Sequence, residues 1–351
     1  MIKIAYIELD THAEIAGNFM ELMSCSGEFS VDYYFAEKIL NFLQIQSEHL
    51  QENIFKTTPE NLLSQLSAHT YQLVIIGTVH RYFNVFEIIT EKFNTSIICH
   101  NLNFVKTSNF DLFTSVFKED FKYRLKLLLK EGLLRKSDVY KNANHLLVLD
   151  QTLAKENFKT LPVFYNRFSK KPQNQIFTIV IPGAVSQKRR DYFSVINKLF
   201  NQPLGRRIHL ILLGKAKGKE LFLLKDAEEK ISDTISIQYF TEKIPQPIFD
   251  EWMENADLLW CPLQKKTEFF SQKEYYGITK MTGNVGDAIK YGKVAVFPAD
   301  YPNSYPFIIP ENENVEDQIH TYQMSAEYDF EQKFAKEKVL KSLENALAEM
   351  L

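Results

Sequence analysis

The sequence predicts an α/β protein made of two Rossmann-like domains, each built on a parallel sheet. Three observations carry this. Short apolar runs (KIAYIEL, YQLVIIGTVH, TSIICH, IFTIVIPG, IHLILLG, VAVF) alternate with amphipathic stretches, as strands alternate with crossover helices in a parallel sheet. The runs are apolar throughout rather than alternating, as expected of strands covered on both faces. The chain has 351 residues, enough for two domains of ordinary size. A polar stretch, SKKPQNQ (169–175), divides it near the middle and contains Pro172. The expected division is therefore 1–168, a linker over 169–175, a second domain over 176–320, and a terminal helical segment over 321–351.

Composition excludes several classes. The formal net charge is −3, which argues against a general nucleic-acid binder. Cys25, Cys99 and Cys261 are far apart and form no C-x-x-C pair, so a zinc centre or a disulfide framework is not expected, and a reducing compartment fits. MIKIAYIEL enters a strand directly, without the features of a signal peptide. No run of about twenty apolar residues is present. The expectation is a cytoplasmic protein. G-x-S-x-G, H-E-x-x-H, G-x-G-x-x-G and the Walker loop are all absent, which leaves no hydrolase, zincin, dehydrogenase or P-loop signature.

The first half reads in order as follows. KIAYIEL (3–9) is a strand, and DTHAEIAGNFMELM is a loop and helix holding His12 and Glu14. VDYYFA (31–36) is a strand and KILNFLQIQSEHL a helix. In TTPENLLSQLSAHT, Thr58 is placed as N-cap and Pro59 as the first helical residue. YQLVIIGTVH (71–80) is a strand ending in His80, FNVFEIITEKFN a helix, and TSIICHNLNF (95–104) a strand carrying His100. Ligands gather at the carboxyl ends of strands in open α/β sheets. His12, His80 and His100 are therefore candidate site residues. Residues 116–138 read as one long amphipathic helix with Lys118, Lys122, Arg124, Lys126, Lys130, Arg135 and Lys136, a candidate for peripheral contact of 116–136 with the inner membrane face. A strand and a helix start follow over 143–156, and LPVFYNRF (161–168) reads as a last strand.

In the second half a strand runs into Pro182-Gly183 and a basic loop with Lys188, Arg189 and Arg190. IHLILLGKAKGKE is a strand followed by Gly214 and Lys215. Residues 236–263 read as strand, proline turn, helix and strand. EYYG (Glu274 to Gly277) leads into a polar segment with Lys280, Thr282 and Gly283. DAIKYGKVAVFP (Asp287 to Pro298) reads as a helix closed by Gly292 and a buried strand. Carboxylates suit sugar and ribose hydroxyls, and a helix N-terminus with basic side chains suits a diphosphate.

EYYG, DAIKYGKVAVFP, the basic loop after the 176–182 strand and the 236–263 order together resemble the donor half of GT-B glycosyltransferases, specifically the retaining family-four group. Glu274 and Asp287 stand thirteen apart where that group usually places its acids eight apart, and the usual Gly-Gly loop after the first strand is absent. The resemblance implies two facing Rossmann-like domains with a cleft between them. It implies sugar transfer from a nucleotide-diphosphate sugar to a saccharide or lipid-linked acceptor in cell-surface glycan synthesis, with no metal and no cofactor. Glu274 and His100 would be catalytic, with His12 and His80 on the acceptor side. Lys188, Arg189, Arg190, Lys215, Gly277, Lys280, Thr282, Gly283 and Asp287 would bind the donor. A nucleotide-sugar 2-epimerase of the same fold and a non-catalytic scaffold are the competing readings.

Overall fold

The computed structural model describes residues 1–46, 50–155, 157–168, 175–229 and 234–351. The chain divides into two compact units. The first comprises Met1–Val163, Glu268–Met281 and Lys336–Leu351, and the second Phe164–Thr267 and Thr282–Ala335.

In the first unit the order is β1 (Ile2–Glu8), α1 (Ala13–Met23), β2 (Phe29–Phe35), α2 (Glu37–Phe42), β3 (Ile54–Lys56), α3 (Pro59–Ser67), β4 (Leu73–Ile76), α4 (Phe83–Lys92), β5 (Thr95–Ile98), α5 (Leu102–Lys106), α6 (Asn109–Ser115), α7 (Phe121–Lys130), α8 (Lys136–Asn142), β6 (His145–Val148) and β7 (Phe158–Thr160). The sheet runs β3-β2-β1-β4-β5-β6-β7, every described pairing parallel. Its strands are as short as the apolar runs that encode them, and Ile4, Ile7, Val74, Ile76 and Ile97 are at 0% exposure. The strand order reverses between β1 and β4. At such a switch point the loops leaving the two strands part and leave a crevice.

The second unit contains β8 (Phe177–Pro182), α9 (Tyr192–Phe200), β9 (Ile208–Lys215), α10 (Gly218–Glu228), β10 (Ile235–Phe240), α11 (Gln246–Asn255) and β11 (Leu258–Trp260). A hairpin follows, β12 (Lys266–Phe269) and β13 (Gln272–Tyr275), most of it assigned to the first unit. The second unit resumes with α12 (Gly283–Tyr291), β14 (Ala295–Phe297), β15 (Ile308–Pro310), α13 (Val315–Ser325) and α14 (Phe330–Phe334), and α15 (Lys336–Ala348) returns to the first unit. The sheet order is β10-β9-β8-β11-β14-β15, so the switch point lies between β8 and β11. On the first unit, α15 is tied by Ser26 Oγ to Glu344 at 2.7 Å, and the residues after it by Asn94 Nδ2 to the Met350 carbonyl at 3.0 Å. Among the described residues no helix is long and apolar enough to cross a membrane.

Three expectations need correction. The long helix over 116–138 is broken. Asp120 takes φ 47 at the start of α7 and Gly132 φ 69 after it, and two of its basic residues turn inward. Arg124 donates to the Ser115 carbonyl and to Ser271 Oγ. Lys136, fully buried, donates to the carbonyls of Phe104, Val105 and Thr107. LPVFYNRF forms no strand, because its backbone bonds go elsewhere: within the second unit, Asn166 N donates to the Phe334 carbonyl and Arg167 N to that of Lys290. The EYYG segment lies on a hairpin of the first unit rather than on the second domain. Of the linker placed at 169–175, residues 169–174 lie outside the described residues.

Candidate functional site

At the switch point of the first unit, a buried acid organises the loop after β1. Glu8 is 0% exposed. Its Oε1 accepts from the backbone N–H groups of Asp10 (3.0 Å) and Thr11 (3.3 Å), and its Oε2 from Thr78 Oγ1 (2.7 Å). Gly77 is required beside it, since a Cβ there would lie 2.6 Å from Glu8 Oε2 and 2.8 Å from the Tyr6 hydroxyl. The loop ends at His12, held in the left-handed region at φ 60. Such a backbone is costly for a residue with a Cβ, and strain of this kind clusters at functional sites.

The three candidate histidines come together here. His12 stacks on His100, with ring centroids 3.7 Å apart at an interplanar angle of 12°. His80 stands edge-on to both, at 6.2 and 6.0 Å, with Phe269 4.3 Å away on its other contact. The hydrogen bonds fix the tautomers. His100 Nε2 lies 2.8 Å from the Gly77 carbonyl and must donate to it, which leaves Nδ1 as the acceptor of the neutral ring. Lys280 Nζ donates to Asn101 Oδ1 at 2.6 Å. The Asn101 amide therefore donates to His80 Nε2 at 3.2 Å, and the proton of a neutral His80 sits on Nδ1. Burial, then the neighbouring His12, holds the pKa of both His80 and His100 well below the usual imidazole value. Both are neutral at pH 7, so toward hydroxyl groups His80 Nδ1 is left to donate and His100 Nδ1 to accept.

Glu274 does not join this cluster. It is 0% exposed, and its carboxylate caps α5, accepting from Phe104 N at 2.8 Å and Asn103 N at 3.3 Å. Leu102 N donates to the Thr279 carbonyl at 2.8 Å in the same junction. Gly277, at φ 75, serves the turn in which its N–H meets the Lys280 carbonyl. Glu274, Gly277 and Lys280 thus belong to the first unit, contrary to their expected place in the donor domain.

In the second unit a different arrangement forms at the switch point between β8 and β11. Thr282 caps α12, its Oγ1 accepting from Asn284 N at 3.3 Å. Beside Gly283 there is open space, so the first turn of α12 has an open flank. Arg190, joined to Leu263 by a β-bridge, donates through Nη2 to Asn284 Oδ1 at 3.2 Å. Asn284 Nδ2 reaches Asp287 Oδ2 at 3.2 Å. Gly183, at φ 102, covers the guanidinium, and a Cβ there would lie 2.7 Å from Arg190 Nη2. Gly214 presses on Gly183 in turn; its Cβ would fall 2.1 Å from the Gly183 carbonyl oxygen. Arg190 Nε is buried without a hydrogen-bond partner among the described residues. Of the expected basic set only Arg190 reaches α12. Lys188 and Arg189 are exposed, and Lys215 pairs with Glu242 at 3.3 Å.

Sequence reasoning missed Glu8, Asn101 and Asn284. A lone acid closing the apolar run of β1 was the available signal for Glu8; for the two asparagines the sequence offers none.

Solved structures share this architecture over the whole chain. The Anabaena Alr3699/HepE protein in complex with UDP aligns with a TM-score of 0.60 at 13% identity, over 99% of this chain and 100% of that one. The apo form of the lipopolysaccharide outer core galactosyltransferase WaaB aligns at 0.59 and 10% identity, over 100% of both chains. The chain has the GT-B fold. The UDP-GlcNAc 2-epimerase from Neisseria meningitidis bound to UDP-GlcNAc shares it too, at 0.55 and 8% identity, over 99% and 100%. No family model matches the sequence, and no curated protein matches it either. Within the GT-B fold, both switch points of this chain carry polar residues suited to ligands.

Proposed function

We propose that this protein is a glycosyltransferase that moves a sugar from a nucleotide-diphosphate sugar to a hydroxyl of a saccharide or lipid-linked acceptor. The observation that carries the reading is the second unit's switch point. There an open α12 N-terminus stands next to an arginine whose buried Nε has no hydrogen-bond partner among the described residues. Partial positive charge at a helix N-terminus and a guanidinium together suit a diphosphate. As the bond to the anomeric carbon breaks, negative charge grows on the departing diphosphate, and these preorganised donors stabilise it. Lys188 and Arg189, both exposed, and Lys215, paired with Glu242, are assigned to the outer oxygens of the diphosphate, and Asp287 to the ribose. The neutral imidazoles of His100 and His80, and the ring of His12 stacked on His100, are assigned to hydroxyl groups of the reacting sugars, with Lys280 and Asn101 orienting His80. The reaction retains configuration and needs no metal, as the family-four resemblance of DAIKYGKVAVFP implies, and serves cell-surface glycan synthesis at the cytoplasmic face.

Calorimetry with UDP, GDP and TDP tests the donor site. One of them should bind, and Arg190→Ala should weaken it about ten- to a hundredfold, as loss of a charge-assisted hydrogen bond worth about 1.5–3 kcal/mol requires. His100→Ala should lower turnover and leave nucleotide affinity at the wild-type value. Activity should persist in EDTA. Nucleotide release that depends on an acceptor supports transfer. Epimerised donor without an acceptor supports the 2-epimerase, and binding without turnover a scaffold.

A further inference from the structure

Between α3, α4 and α7 the first unit holds a cavity of about 600 Å³, within the range of about 300–1,000 Å³ usual for small-ligand sites. Pro59 and Leu63 of α3 and Val85 and Ile88 of α4 give it an apolar wall. Tyr82 lines it as well, with the Arg81 guanidinium 4.6 Å from the centre of its ring. Tyr82 is held at φ 56. The loops leaving β1 and β4, on the two sides of the switch point, thus both end on a residue with left-handed backbone, His12 on one and Tyr82 on the other. Strain of this kind clusters at functional sites. The cavity also adjoins the histidines along the chain. Arg81 and Tyr82 directly follow His80, and Asp10, 3.9 Å from Arg81, precedes His12 on the same loop. The polar part of the wall is ion-paired. Arg81 donates to both carboxylate oxygens of Glu131, at 3.0 and 2.6 Å, and Lys126 Nζ lies 3.5 Å from the same carboxylate. Glu60 and Lys130, both exposed, add one charge of each sign.

We propose that this cavity is a saccharide subsite, holding an uncharged sugar unit of the acceptor beyond the one whose hydroxyl meets the histidines. That the sugar belongs to an acceptor rests on the transferase reading; that the cavity takes a sugar rests on its lining. A phosphate or carboxylate ligand needs basic groups left free for it, whereas Arg81 and Lys126 already face Glu131. An acyl chain needs a wall without charges. A sugar ring has apolar C–H faces and a rim of hydroxyls. The apolar wall and the Tyr82 ring suit the faces. An ion pair sets a donor beside an acceptor, which is what each hydroxyl requires. The expected acceptor is therefore a neutral chain of at least two sugars.

The test screens the full chain, without nucleotide, on an array of neutral, uronate-bearing, sialylated and phosphorylated oligosaccharides. The tightest neutral binder then goes to calorimetry beside its component monosaccharide. A neutral oligosaccharide should bind, and its monosaccharide at least about tenfold more weakly. Tyr82→Asn keeps a residue that tolerates the left-handed backbone and removes the ring; it should weaken oligosaccharide binding at least about tenfold. Ile88→Glu sets a charge on the apolar wall at an exposed position, so it should weaken binding similarly while melting as the wild type does. Nucleotide affinity should be unchanged in both variants. No neutral oligosaccharide bound overturns the proposal, as does binding of charged glycans alone or wild-type affinity in both variants. Binding lost in His100→Ala but intact in Tyr82→Asn would place the whole ligand at the histidines and overturn it too. Oligosaccharide binding that follows Tyr82 and Ile88 in a chain without turnover would remove the transferase reading and leave the subsite. Transfer to monosaccharide and oligosaccharide at equal efficiency would do the reverse.

Discussion

At Glu8, burial raises the carboxyl pKa from 4.5 to about 8, although hydrogen bonds from Asp10 and Thr78 act in the opposite sense. The folded chain therefore holds a proton that the unfolded chain has released between those two values. The contribution to stability is complete below about pH 4.5 and is lost as pH rises through about 8. Glu8→Gln keeps an acceptor for the loop and an amide that can donate to Thr78, and it cannot ionise. His80 and His100, with folded pKa values below the usual imidazole value, add a slope of opposite sign below about pH 6.5 that wild type and variant share. It is therefore the urea midpoint of the wild type relative to that of the variant that should fall from about pH 5 to about pH 8. A wild-type-to-variant difference that stays level across that range would locate the titrating group elsewhere. Glu274 calls for a different expectation. Its two backbone partners mark it as the cap of α5, so Glu274→Ala should cost about 1–3 kcal/mol of stability, the penalty for unpaired buried donors. A thermal melt indistinguishable from wild type would remove that role.

At the scale of elements, the hairpin of β12 and β13 shows what is and is not legible in the sequence. Its two turn residues, Phe270 and Ser271, both lie in the left-handed region, at φ 54 and φ 57. Two-residue turns of this kind ordinarily use Asn-Gly or Asp-Gly, so EFFSQKEYYG gives no local sign of a hairpin. The turn is held from α7, where Arg124 stacks 4.6 Å from the Phe270 ring and donates to Ser271 Oγ at 2.7 Å. That contact is remote in sequence, which is why both the hairpin and the inward turn of Arg124 escaped a local reading. Arg124→Ala should destabilise the first unit by about 1.5–3 kcal/mol, with hydrogen exchange accelerated first in 266–275. Unchanged exchange there would mean that the turn holds itself. By contrast, α12 is readable at its C-terminal end, where Gly292 closes it at φ 60, because such a cap depends on residues that are neighbours in the chain. Its start is not, since the sequence reads as a helix from Asp287 whereas Thr282 caps it and it begins at Gly283. The histidines were likewise placed by the apolar runs before them, whereas the tautomer-fixing Asn101 and Lys280 come from segments that only folding joins.

The whole molecule is threaded rather than cut in two. The chain leaves the first unit after Val163, re-enters it for Glu268–Met281, and returns for Lys336–Leu351. A fragment of residues 1–168 would lack the Glu274 cap of α5 and all of α15, exposing the surface that Leu343 and Leu347, both 0% exposed, cover in the intact chain. Such a fragment should melt well below the intact protein or aggregate, and a cooperative melt at the wild-type temperature would contradict this. The threading also bears on how the two units can be exchanged. Recombination at a single junction, after the first sheet, would exchange the second unit together with the cap of α5 and the last helix of the first unit. Exchange of the second unit alone would need four crossovers, so under the function proposed above a change of donor would come from point changes within 183–190 and 282–287. Divergence here should therefore proceed by substitution within one lineage more readily than by shuffling of halves.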